Sequence, residues 1–122
     1  MPATQSGRLK VTSLEEARAV VLFPEGDVDM DSYDTFRAAL SHATSLGRPN
    51  VVVDLAKVSY IDSLGLGALV SGLRDAKEAG CRMCLVSQNA HLSRVLDVTG
   101  LSRLFRVYQR REDALEESCA EE

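Results

Sequence analysis

The chain has 122 residues, 45% hydrophobic and 26% charged, with a formal net charge of -4. That length is one domain, large enough for a core of its own, and the acidic balance argues against a general nucleic-acid binder. No apolar run approaches the ~20 residues of a membrane span, and the opening MPATQSGRLKV lacks the apolar centre of a signal peptide, so the expected compartment is the cytoplasm and no membrane contact is expected.

Arg8 to Thr12 and Ala17 to Phe23 read as two strands joined by a polar turn at Ser13–Glu16. Pro24 has no N–H to give a ladder and marks the end or an edge of the second strand. Glu25-Gly26-Asp27-Val28-Asp29 follows as an acidic loop. Asp31 or Ser32 can cap a helix with Tyr33, Phe36, Leu40 and Ala43 on its apolar face, stopped by Gly47. Val51, Val52 and Val53 form the β-branched run that a strand covered on both faces needs, and Asp54 ends it.

A loop through Ile61-Asp62-Ser63 then opens a helix. Leu66, Leu69, Val70, Leu73 and Ala76 recur along it at helical spacing, and Gly80 stops it. Ser63 falls at or near its N-cap, where backbone N–H groups are free and the helix end is partly positive. Arg82 to Val86 is a further strand. Ser87 or Asn89 can cap a third helix carrying Leu92, Val95 and Leu96, which ends Schellman-fashion at Gly100-Leu101. Leu104 to Tyr108 reads as a last strand. Ala114, Leu115 and Cys119 suggest a terminal helix fraying into Glu121-Glu122.

The order ββαβαβαβα predicts a single α/β domain over residues 8–118. It implies a mostly parallel, mixed sheet of about four to five strands with about four helices and right-handed crossovers. Residues 1–7 and 119–122 are expected as flexible termini. Ligands of such sheets gather outside the carboxyl ends of the strands. The Asp27–Asp29 loop and the Asp62–Gly67 loop both follow a strand and precede a helix, so both belong on that edge.

Other chemistries find little support. Cys81-Arg82-Met83-Cys84 has C-x-x-C spacing, but it opens an apolar strand, where residues three apart face opposite sides. An odd set of three cysteines without a secretion signal argues against a disulfide framework. Gly65-Leu66-Gly67 is a partial dinucleotide loop whose third glycine, Gly72, comes too late. Ile61-Asp62-Ser63-Leu64-Gly65 lacks the first glycine of a nucleophile elbow. His42 and His91 read as surface or capping residues, and Arg103, Arg106, Arg110 and Arg111 as a solvated basic face. No cofactor and no metal are expected.

Asp62-Ser63-Leu64-Gly65-Leu66-Gly67-Ala68-Leu69 resembles the D-S-x-G-L-G-x-L signature of STAS domains, closest to bacterial anti-sigma-factor antagonists. Gly26-Asp27-Val28-Asp29 resembles the G-[ED]-[LV]-D element before that family's first helix. Val95 to Leu101 resembles its late motif, ending in [ST]-G-L. The three elements occur in family order between residues 26 and 101. The resemblance implies a STAS fold and partner switching by a protein that is not itself a catalyst. An unphosphorylated antagonist of this kind binds an anti-sigma factor that is also a serine kinase, and so frees the sigma factor. The kinase phosphorylates the motif serine, here Ser63, and a serine/threonine phosphatase resets it. The position after that serine is often Ser or Thr in the family; Leu64 here points to Ser63 alone.

The residues suit that role. Gly65 and Gly67 keep the helix start slim enough for another backbone to approach. Leu64 and Leu66 offer apolar surface beside Ser63. Asp27, Asp29 and Asp62 set negative charge where a phosphate would add more. Each has a plainer alternative: Ser63 as a structural cap, and the aspartates as solvated turn residues favouring the helix starts. At the level of the protein, the alternative is a STAS scaffold subunit, of a stress-signalling or lipid-transport complex, that holds its partner constitutively. A monomer or weak homodimer is expected.

Overall fold

The computed structural model describes residues 3–6 and 9–120, with side chains over 9–117. Its strands are β1 (Ala3–Ser6), β2 (Leu9–Glu15), β3 (Ala19–Val28), β4 (Asn50–Asp54), β5 (Lys57–Ile61), β6 (Arg82–Val86) and β7 (Arg106–Tyr108). Its helices are α1 (Tyr33–Thr44), α2 (Ser63–Ala79), α3 (Ala90–Thr99), α4 (Leu101–Leu104) and α5 (Arg111–Ala120). They build one mixed sheet in the order β1-β2-β3-β4-β6-β7, with β5 paired to β3 beside that path. The pairs β1–β2 and β2–β3 are antiparallel; the rest are parallel.

Side-chain alternation decides what each face buries. Val51 and Val53 of β4, with Val20 and Leu22 of β3, enter a large core under Phe36 and Leu40 of α1, Ala68 and Leu69 of α2, and Leu92 and Leu96 of α3. Val52 points the other way. It joins Val21, Val86 and Ala114 of α5 in a small second cluster, rimmed by Phe23, Cys84, Tyr108 and Leu115. Each large side chain withdrawn from water contributes about 1.5–3 kcal/mol, so the α1–α2–α3 side carries most of the hydrophobic stabilisation.

The α/β class and the mixed, mainly parallel sheet agree with the sequence reading, while the counts rise to seven strands and five helices among the described residues. The first turn falls later than expected, because β2 runs on to Glu15. β3 does not stop at Pro24 but continues to Val28. Its partner changes on the way: the ladder with β4 ends at Leu22–Val53, and the ladder with β5 begins at Glu25–Lys57. Pro24 falls in the gap, where an absent N–H costs no bond to either strand. Glu25 to Val28 are therefore strand, and the acidic loop shrinks to Asp29–Ser32.

β5 occupies a stretch that the sequence presents as loop. Val58 is its only fully buried residue, so its periodicity is too weak to read. Leu104 closes the short α4 and leaves β7 only three residues. Asn89 is the cap of α3, its side chain accepting from the amides of His91 and Leu92. Gly80 and Gly100 take left-handed backbone at their helix ends, as expected.

Cys81 precedes β6 and packs against the large core, whereas Cys84 packs against the small cluster. Burial pushes the Cys81 thiol up from its ordinary pKa, which slows its reactions at neutral pH. Cys119 lies outside the residues whose side chains are described, as do both terminal segments expected to be flexible, 1–7 and 119–122. Of the four arginines read as a basic face, three pair internally: Arg106 with Glu117, Arg110 with Asp113 and Arg111 with Asp54.

Arg111 secures α5 to the sheet. Its guanidinium lies 3.6 Å from the carboxylate of Asp54, whose side chain is only 9% exposed, and 5.2 Å from the centre of the Phe23 ring. Arg111→Ala is expected to cost about 1 kcal/mol, read as a lower urea midpoint. Alkylation of Cys84, mapped by mass spectrometry, should quicken in this variant while that of Cys81 stays unchanged. Equal acceleration of both thiols would show global rather than local loosening.

Candidate functional site

β3 and β5 run side by side to one edge of the sheet, pairing Asp27 with Tyr60 and Val28 with Ile61. A register shift between Gly26 and Asp27, with Gly26 at φ +117, lets β3 end in step with β5. From there β3 turns into α1 and β5 into α2. The Asp62 amide donates to the Val28 carbonyl at 3.1 Å and ties the two exits together. Gly65, in the first turn of α2, lies flat on this junction. A Cβ there would stand 2.6 Å from Ile61 Cγ1 and 2.7 Å from Val28 Cγ1. The close approach sets the start of α2 beside the end of β3, so the Asp27–Asp29 and Asp62–Gly67 segments share one edge, as predicted.

The β3–α1 turn is held by a buried serine. Ser32 Oγ donates to the Asp27 carbonyl at 2.8 Å and accepts from the Asp29 amide at 3.0 Å. Asp29 Oδ1 accepts from the amides of Asp31 and Ser32 at 3.0 and 3.2 Å. One face of the Asp29 carboxylate therefore serves the turn, while the residue stays partly exposed. Asp27 is half-buried and Asp31 exposed. Ser32 holds the N-cap position of α1 through its main-chain oxygen, which accepts from the Phe36 amide at 3.0 Å, without a side-chain bond into the helix.

At α2 the geometry narrows the sequence reading, in which Ser63 falls at or near the cap. The cap is Asp62, whose Oδ1 accepts from the Gly65 amide at 3.0 Å. Ser63 is the first helical residue. It is exposed, and its hydroxyl has no hydrogen-bond partner among the described residues. An aspartate in this place combines capping with favourable charge at the positive helix end, which leaves the serine no structural task.

The other expected site residues divide between surface and interior. Leu64 is 44% exposed, and Gly67 is exposed with open space where a Cβ would stand. Leu66 packs against the large core, and Gly65 is buried, so its smallness serves the β3 contact first. Two apolar residues not singled out in the sequence belong to the same edge: Met30, at 73% exposure, and Tyr60, at 55%. A methionine between two aspartates was the available signal for Met30; Tyr60 was hidden by the unrecognised β5. The result is an acidic edge bearing exposed apolar side chains around an unpaired serine hydroxyl. Among the described residues, no three His, Cys, Asp or Glu side chains gather as metal ligands, and no helix is long and apolar enough to cross a membrane.

The STAS domain family model matches residues 10–114, and the chain belongs to the STAS domain family. A protein described as a candidate anti-sigma factor antagonist of Thermotoga neapolitana is 30% identical over 99 residues, 80% of this chain and 88% of its own. The anti-sigma-B factor antagonist of Staphylococcus epidermidis is 30% identical over 87 residues, covering 71% and 81%. Among solved structures, an anti-sigma factor antagonist of Mycobacterium paratuberculosis superposes with a TM-score of 0.83 at 22% identity, over 90% of this chain and 93% of its own. The phosphorylated form of the Bacillus cell fate determinant SpoIIAA superposes at 0.67 and 20%, over 89% and 97%. These two structures share the fold.

The two motif glycines should separate on substitution. Gly65→Ala is expected to destabilise by about 1–3 kcal/mol, since two side chains must give way. Gly67→Ala is expected to stabilise by about 0.5–1 kcal/mol, since it meets nothing and favours the helix. Urea titrations of both variants check the pair; equal midpoints would contradict the packing at Gly65.

Proposed function

We propose that the protein is an anti-sigma factor antagonist whose binding edge is switched by phosphorylation of Ser63. The observation that carries this reading is the exposed, unbonded hydroxyl of Ser63 between the apolar Leu64 and the acidic β3–α1 turn. The names of the relatives support the antagonist role, and the phosphorylated SpoIIAA supports a domain of this fold that carries phosphate.

The partner is an anti-sigma factor that is also a serine kinase. In the unphosphorylated state it is held by the edge of Asp27, Asp29, Asp62, Ser63, Leu64 and Gly67, backed by Gly65 and Leu66, and the sigma factor goes free. The kinase moves the γ-phosphoryl group of ATP to Ser63 Oγ. The new P–O bond forms as the bond to ADP breaks, and the serine proton passes to a base of the kinase. A serine/threonine phosphatase returns the hydroxyl by hydrolysis. The protein acts in the cytoplasm as a binding module and phosphate acceptor, a monomer or weak homodimer rather than a catalyst.

Release follows from charge. The phosphate brings about -1.5 to -2 at neutral pH into an edge that already carries Asp27, Asp29 and Asp62. Within a formed interface, like charge and desolvation together reach a few kcal/mol, or about 100-fold in affinity. The fold itself tolerates the change, because a helix N-terminus accepts an anion.

Incubation with the cognate kinase and ATP should give one phosphate by mass spectrometry in the wild type and none in Ser63→Ala. A phosphate that persists in Ser63→Ala would sink the assignment. Ser63→Asp should weaken kinase binding in titration calorimetry while leaving the melting temperature within about a degree or two. A large loss of stability would mean that Ser63 serves the fold first. A complex that keeps its size in gel filtration whatever the phosphorylation state would favour a constitutive scaffold.

A further inference from the structure

We infer that Asp62 is a positioning residue for the modification of Ser63: by holding the cap of α2, its carboxylate keeps the serine hydroxyl out of the helix end. This inference rests on the reading of Ser63 as phosphate acceptor and assigns that reaction a further residue.

The argument starts from competition. A helix start has free N–H groups that a side-chain oxygen can satisfy, and serine caps about as well as aspartate. Asp62 and Ser63 are neighbours, and each could serve. The residue that caps gives its side-chain oxygen to the helix: a lone pair is bonded and the rotamer held. In this structure Asp62 has the extended backbone of a cap, φ -101 and ψ -174. Its Oδ1 accepts from the Gly65 amide, and its main-chain oxygen accepts from the Leu66 amide, both at 3.0 Å. If Ser63 were the cap, its Oγ would face the amide three residues on, that of Leu66, which now bonds to Asp62.

The two arrangements differ only in which residue starts the helix. The helix cannot slide to accommodate the change, since Gly65 is pressed against Val28 and Ile61. The change falls on the backbone of Ser63 and on the bonds that the Gly65 and Leu66 amides now make to Asp62. Phosphoryl transfer requires the hydroxyl to offer a lone pair to phosphorus and its proton to a base. A serine engaged as cap keeps its proton, but one lone pair is bonded to the helix amide and its rotamer is turned to the helix end, which makes it the poorer nucleophile. The role of Asp62 is thus through its hydrogen bond rather than through its charge. Asparagine and serine, which cap comparably without charge, should replace it; alanine should not.

The test compares the wild type with Asp62→Ala, Asp62→Asn and Asp62→Ser. Asp62→Gly stands in if Asp62→Ala fails to fold, because glycine adopts the cap backbone but offers no acceptor. Single-turnover phosphorylation at saturating kinase separates presentation from binding. The Ser63 side-chain couplings and the Leu66 amide shift, read by NMR without kinase, report which residue caps. Asp62→Ala is expected to slow phosphorylation about fivefold, and Asn or Ser to stay within about twofold of the wild type. The Ser63 couplings should change in Asp62→Ala alone. Equal rates with unchanged couplings in Asp62→Ala would overturn the inference. So would Asn and Ser variants as slow as Ala, which would put the effect in the charge. A wild type that takes no phosphate would fail the proposed function instead, and the NMR comparison would still decide whether Asp62 holds the serine out of the cap.

Discussion

α2 begins on top of β3 and, at Gly65, brings no side chain of its own to the contact. At Gly65 the helix backbone meets Val28 and Ile61 at distances that exclude even a methyl group, and the Asp62 amide closes the same junction on the Val28 carbonyl. Everything at the candidate site hangs from this contact. It fixes the height of the helix start above the sheet, hence the place of the cap, and hence the exposure of the residue that follows the cap. It also explains how one edge can gather residues from two crossovers: β3 and β5 are adjacent only because β3 outruns β4 and takes a second partner beyond Pro24. The edge is thus an outcome of sheet topology and one missing side chain, rather than of any polar attraction between its carboxylates.

Much of this was legible in the residues. The three valines of β4 declared a strand buried on both faces, and the structure divides them between two clusters. Glycines at the ends of α2 and α3 marked their stops, because left-handed backbone is cheap only there. The Asp62–Leu69 motif located the edge. What stayed hidden has physical causes. A five-residue strand with one fully buried side chain, like β5, produces no period to detect. A proline in a strand reads as a stop unless the change of partner is known. Between Asp62 and Ser63 the sequence offers two caps of nearly equal quality, and only the backbone angles choose. Gly65 and Gly67 look alike in the chain, yet one is pinned inside the fold and the other faces open space.

Polar groups at the edge also sort into two kinds once their bonds are known. Ser32 and the inner oxygen of Asp29 are spent on the turn, and Asp62 on the helix. The Ser63 hydroxyl bonds to none of the described residues. In a small domain most hydroxyls at element ends are drawn into local hydrogen bonds, so a hydroxyl spared that duty is available for chemistry with another molecule. Met30, Tyr60 and Leu64, exposed on the segments that meet at this edge, are apolar area that intramolecular packing leaves uncovered.

The two faces of the sheet are unequally insulated, and this orders the ways in which the domain can breathe. α5 rests on a handful of apolar contacts and two ion pairs, whereas α1, α2 and α3 share a continuous interior. Amide protons of α5 should therefore exchange through small, local openings, and those at the centre of β3 and β4 only through excursions close to complete unfolding. The start of α2 belongs to the slow class by its anchorage. The candidate edge is consequently built on the part of the molecule that moves last, and it keeps its shape through fluctuations that strip the opposite face.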